Sequence, residues 1–151
     1  MNTNTKVIDL SYLREMSGNN KDIMVEMVEI FIEQNPEFTE GISNYFENKQ
    51  WTELGAVAHK AKSSVRIMGM DELGDCLEKI EHYSKGNQKL ELQHKIENRH
   101  KLNDDDLRIW NNVRNEEVND IDLKFIPTLV STFLNQSPVA ITELRKAILE
   151  L

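Results

Sequence analysis

A single cysteine, Cys76, stands in a chain of 151 residues. It excludes an intramolecular disulfide and a cysteine-built zinc site. Apolar runs are short, and none approaches the ~20 residues that span a bilayer. Residues 1–8 are polar and lack the apolar core of a secretory signal, so a cytoplasmic location is expected. Positive charge is outnumbered: 18 Lys and Arg against 26 Asp and Glu leave a formal net charge of -8. That balance disfavours nucleic acid and anionic membranes as partners, because both need a basic face. Strand signals are missing too. There is no Asn-Gly or Asp-Gly hairpin dipeptide and no long apolar/polar alternation. With 39% hydrophobic residues, the length suits one domain with a full core, expected to span 1–151.

Helical spacing is what fills the chain. The pattern predicts a short helix over Asp9–Met16, with Leu10 and Leu13 inward and Gly18 ending it. A long second helix starts near Asn19 and Asn20. Ile23, Met27, Ile30, Phe31, Phe38, Ile42, Tyr45 and Phe46 form its expected stripe, and Pro36 should kink it rather than stop it. A third helix runs from Trp51 to Gly69. A fourth begins near Asp71, carries Leu73, Leu77 and Ile80, and is expected to close at Ser84-Lys85-Gly86-Asn87. Residues 87–118 are rich in Asn, Asp, Glu, Lys and Arg. They read as a polar excursion of weak or short helices and as the most mobile part of the chain. The closing helix is expected within 119–151, from Asp122 or Pro127 onward, with Leu129, Phe133, Ile141, Leu144 and Ile148 inward. These elements predict an all-α fold, a four-helix bundle with extra helices.

A faint echo links the two ends. Ile8-Asp9-Leu10 recurs as Ile121-Asp122-Leu123, and Phe31 to Pro36 recurs as Phe133 to Pro138. Two bundle helices with similar kinks explain it; a truncated duplication is the alternative.

The third helix carries the most informative residue. At about 100° per residue, Leu54, Val57, Ala58, Ala61, Val65 and Met68 share one side. His59, Lys62, Ser63 and Arg66 share the other. The imidazole should therefore be exposed, with cations beside it and with small Gly55 and Ala56 one turn earlier. Such a ring suits taking up and passing on an anionic group. An ordinary surface histidine on a solvated face is the plainer explanation of the same spacing. His82, His94 and His100, with Glu78, Glu81 or Glu97, do not form the paired spacings of a bundle metal site, and no metal is expected. Cys76 reads as a reduced structural thiol. Trp51 is expected to pack at the start of the His59 helix, and Trp110 either anchors the excursion or belongs to a contact surface.

Ala58-His59, Lys62 three residues on, small Ser63-Ser64, then Gly69-Met70, followed by Leu73, Leu77 and Ile80, resemble the histidine-containing phosphotransfer (HPt) domain family of multistep phosphorelays. The order of helices over 9–86 fits that family, and the last helix looks like its closing helix. One departure is Ser63, where the family usually has glycine. The family also often places a polar residue on the next helix facing the histidine. Glu81 and Lys85 lie near that position, and a glutamate is expected to be a poor neighbour for phosphate.

The resemblance implies a phosphoryl carrier rather than an enzyme, with no cofactor of its own. His59 would be the phosphoacceptor and Lys62 would stabilise phosphoryl oxygens, with Ser63, Arg66, Gly55 and Ala56 in support. The implied partners are a response-regulator receiver domain, which would bring the aspartate and the magnesium, and a hybrid histidine kinase. The alternative is a helical adaptor that binds a receiver or kinase without transfer.

Overall fold

The computed structural model describes residues 8–151. The polar stretch over residues 1–7, on which part of the targeting expectation rests, lies outside them. Seven helices and no strand occur among the described residues: α1 (Ser11–Met16), α2 (Lys21–Glu47), α3 (Trp51–Ile67), α4 (Asp71–Glu97), α5 (Asp104–Val113), α6 (Asp120–Leu123) and α7 (Ile126–Leu149). The all-α bundle expected from the sequence is what forms. Helices α2, α3, α4 and α7 pack around one core.

Local chemistry sets the boundaries. The Asn20 side chain caps α2 by accepting from the backbone N–H of Ile23 at 3.2 Å, which satisfies one orphan donor of the first turn. Gly69 ends α3 in the left-handed region, at φ 75°. A side chain is impossible there for a second reason: a Cβ would lie 1.6 Å from the backbone oxygen of Asp9. The chain start thus crosses the α3–α4 turn in direct contact, and the Asp9 N–H donates to the Gly69 carbonyl at 3.0 Å. Short connections make α2, α3 and α4 antiparallel neighbours.

All three prolines are absorbed. α2 runs through Pro36 and α7 through Pro138, while Pro127 sits in the first turn of α7, where its missing N–H costs nothing. The echo acquires a structural meaning. Phe31 and Phe133 are both buried, and the Ser137 hydroxyl donates to the Asn35 side-chain oxygen at 3.0 Å where α2 and α7 cross.

The structure corrects several expectations. The fourth helix does not close at Ser84–Asn87; it continues through Gly86 to Glu97. Gly86 stays helical because close packing wants a small residue there, its missing Cβ lying 3.0 Å from Leu123 Cδ2. The excursion over 87–118 does hold a short helix, α5, but its first part belongs to the long α4. It is the end of α4 with α5 folded back on it, forming an arm. Leu92 and Val113 are buried in it, the Lys95 ammonium pairs with Asp106, and a reciprocal capping box between Asn103 and Asp106 starts α5. The closing segment 119–151 is two helices rather than one, the single turn α6 preceding α7. On α2 the buried line is Met24, Val28, Phe31, Asn35, Phe38 and Ile42, so Ile23 and Ile30 are exposed instead of inward. On α7, Val130 and Ala140 are fully inside while Leu129, Ile141 and Ile148 are only half-buried.

Candidate functional site

α3 presents two faces, as its spacing predicts. Leu54, Ala58, Ala61, Val65 and Met68 are buried, whereas Val57 is half-buried. The His59 side chain is 64% exposed. α4 returns antiparallel along α3, so residues equidistant from the turn near Met70 face each other. That register brings Glu81 opposite His59 and Gln88 opposite Thr52.

Glu81 is the centre of the site. Its Oε2 lies 2.9 Å from His59 Nδ1, and its Oε1 accepts from Lys62 Nζ, also at 2.9 Å. Lys85 Nζ stands 4.0 Å away on its own helix. Glu81 and Lys62 are largely enclosed, with side chains 14% and 16% exposed. Burial alone would push the Glu81 carboxyl up. The hydrogen bond and charge of Lys62, with those of His59, outweigh it and hold the group below the usual glutamate range. An ionised carboxylate only accepts hydrogen bonds. Facing that acceptor, His59 Nδ1 carries a proton, and whenever the ring is neutral its lone pair therefore sits on Nε2.

The other expected residues fall in different places. Ser63 is exposed one turn after His59, and Ala56 is exposed nearly one turn before it. Gly55 is half-buried, with the space of its missing side chain 3.6 Å from Ser84 Cβ. It serves the approach of α4 rather than open access to the ring. Arg66 is not beside the imidazole. Its guanidinium reaches Asp75 at 3.0 Å and Glu78 at 3.4 Å on α4. Its stem lies over Gly74, where a Cβ would come within 2.7 Å of Arg66 Cγ. Lys60 turns the opposite way, toward Glu37 of α2 at 3.6 Å. Ser64 lines a shallow apolar groove of about 200 Å³ with Met27, Ile30, Phe31 and Ile67, on the α2 flank of α3.

Trp51 opens α3 as expected. It packs edge-on against Phe46 and donates its indole N–H to Glu91 at 2.8 Å. Trp110 is half-buried within the arm. Cys76 is a buried free thiol whose pKa burial raises, and its S–H points to the Leu129 carbonyl.

The family model of the Hpt domain matches residues 26–115, well over half of the chain. The chain belongs to the Hpt family. Hpt domains are phosphocarriers of two-component phosphorelays, and their relay partners are receiver domains. The match takes in α3 and the full length of α4, whereas the fourth bundle helix of this Hpt domain, α7, lies beyond it. No curated protein and no solved structure shows significant similarity to the chain. No described helix is long and apolar enough to cross a membrane.

The sequence placed Glu81 near His59 but not in contact with it; the structure adds its hydrogen bonds to His59 and Lys62. The signal was available in the hairpin register: eleven residues on either side of position 70 stand His59 and Glu81. A carboxylate there meets the Nδ1 side of the ring, so it is a hydrogen-bond partner of the histidine.

Proposed function

We propose that this Hpt domain is a phosphorelay intermediate that accepts a phosphoryl group on His59 from a receiver-domain aspartate and passes it to another receiver. The whole chain acts as one domain, with 87–118 an insertion and 119–151 completing the bundle. The observation that carries the reading is the His59–Glu81 hydrogen bond, which leaves Nε2 as the exposed nucleophile. In the transfer, the Nε2 lone pair forms the N–P bond. The aspartyl O–P bond breaks, and its electron pair stays on the carboxylate oxygen. The Nδ1 proton remains shared with Glu81, whose charge offsets the positive charge that the ring gains. Lys62, bonded to Glu81 in the resting site, is the ammonium that can turn a donor to a phosphoryl oxygen. The receiver brings the aspartate and its magnesium, and the chain supplies positioning and charge. Ser63 is small enough to admit the receiver.

The groove formed by Met27, Ile30, Phe31 and Ile67 on the α2 flank of α3 offers an apolar contact to a receiver that docks on this helix. A hybrid histidine kinase upstream would load the first receiver, and the cytoplasm is the compartment in which both meet this chain. The test is to mix the protein with a phosphorylated receiver domain. Acid-labile phosphate should appear on His59 and vanish in His59→Ala. Tight binding without any transfer would instead support the adaptor reading.

A further inference from the structure

Around Glu81 the charges do not balance. One enclosed carboxylate faces two ammonium groups, Lys62 at 2.9 Å and Lys85 at 4.0 Å, together with the His59 ring. The cluster therefore holds at least one positive charge more than the carboxylate needs. Elsewhere along the α3–α4 seam the excess runs the other way. Arg66 faces two carboxylates, Asp75 and Glu78. Spare positive charge is thus local to the histidine. The two lysines also differ in kind. Lys62 is largely enclosed and already hydrogen-bonded, whereas the Lys85 side chain is 45% exposed and just beyond hydrogen-bond distance.

Resting on phosphoryl acceptance by His59, we infer that Lys85 is a positioning residue that takes over Glu81 when Lys62 turns to the phosphoryl group. A phosphoryl group on Nε2 brings close to two negative charges into the cluster. Lys62, one turn along α3 from His59, is the cation within reach of it. As Lys62 is drawn outward, its bond to Glu81 weakens, and an enclosed carboxylate that loses its partner is costly. Lys85 needs to close only about an ångström by rotating its flexible stem to replace it. Glu81 thereby stays ionised and keeps hold of Nδ1–H, so the ring keeps the orientation that presents Nε2 for the next transfer. The exchange forms and breaks hydrogen bonds only, and no proton leaves the cluster.

Phosphoramidate, a small phosphoryl donor that releases ammonia, tests this without a receiver. In the phosphorylated protein, the structure should show Lys62 Nζ on a phosphoryl oxygen and Lys85 Nζ within hydrogen-bond distance of Glu81. Lys62 unmoved on Glu81, or Lys85 itself on the phosphoryl group, overturns the exchange. In solution, Lys85→Met should slow His59 phosphorylation by about twofold to fivefold, the size of an exposed ion pair, and Lys85→Arg should restore it. The His59 ring resonances of the unphosphorylated Lys85→Met protein should stay close to wild type, because Lys62 still holds Glu81 there. Equal rates for wild type and Lys85→Met would end the inference while leaving phosphoryl acceptance intact. A wild type that takes no phosphate on His59 from either phosphoramidate or a receiver would remove both.

Discussion

The bundle and the arm are both helical, yet they are held together differently. In the bundle, Phe38, Ile42, Leu54, Leu77, Ile80, Phe133 and Leu144 are wholly out of solvent. In the arm only Leu92 and Val113 are buried, while Ile96 and Leu107 stay exposed. Polar contacts do much of the remaining work there: Lys95 to Asp106, Lys89 to the Glu116 carbonyl, and the capping box of α5. Burial is the larger source of stability, and exposed polar pairs add little. The site sits on the bundle side of that division. His59 and Lys62 hang on α3 and Glu81 on α4, two helices fixed by apolar packing, which is what a transfer centre needs. The arm meets the site helices at their rim, through Trp51 to Glu91 and Gln88 to Thr52 at the first turn of α3 and through Glu116 to His82 on α4.

The largest contrast expected between the regions is chemical. His59→Ala should abolish phosphoryl acceptance in a receiver assay while shifting stability by no more than about 0.5 kcal/mol, as for an exposed position. Residual acid-labile phosphate in that variant would place the acceptor elsewhere. Next comes packing. Phe133→Ala should cost about 3–5 kcal/mol in urea unfolding, and Leu92→Ala in the arm about 2 kcal/mol, at the low end for a buried leucine. Equal costs would mean that the arm belongs to the same cooperative core.

Glu81→Gln should have a smaller effect, visible in transfer rate and in pH dependence. The amide cannot offset the charge gained by the ring, so transfer should slow by roughly tenfold. The sign of the pH effect follows from the lowered carboxyl pKa. Such a group stabilises the fold above its unfolded value of about 4.3 and loses that contribution as pH falls through the lower folded value. Wild type should therefore lose its advantage over Glu81→Gln in acid melts below that range. A gap that widens on acidification would contradict the assigned ionisation. The smallest effect should come from deleting the arm. Replacing residues 87–118 by a short linker should leave acceptance on His59 unchanged and lower the melting temperature only modestly, because Gly86 packs beside Val118 and Leu123 and the two ends of the arm already meet. Loss of the fold in circular dichroism would show that α5 and Trp110 are part of the core.

Much of the bundle was legible because its signals are local. Asn20, Gly69 and Pro127 mark helix ends by their own backbone chemistry, and the α3 spacing separates Ala61 from His59 with no tertiary information. The arm was not legible, for a physical reason. Gly86 and the polar run after it look like a stop, but Lys, Glu, Gln and Leu are good helix formers, and glycine inside a helix is tolerated where a neighbour comes close. The α2 stripe was partly misread because Ile23 and Ile30 are apolar without being inward, and periodicity alone does not say which apolar residues a partner helix covers. At the site, charge spacing on one helix suggested that Arg66 served the histidine. Only the return of α4 reveals Asp75 and Glu78 as its partners.

The crossing of α2 and α7 has a consequence for how many ways this chain can pack. Asn35 and Ser137 lie 102 residues apart, both nearly buried and bonded to each other between apolar neighbours. A slide of α7 by one turn, about 5.4 Å, would keep plenty of greasy surface covered but would strand both polar groups. An unpaired buried polar group costs on the order of 1–3 kcal/mol, so the two residues act together as a detent that rejects shifted registers. The apolar core supplies the drive to assemble, and this one pair decides which assembly is reached.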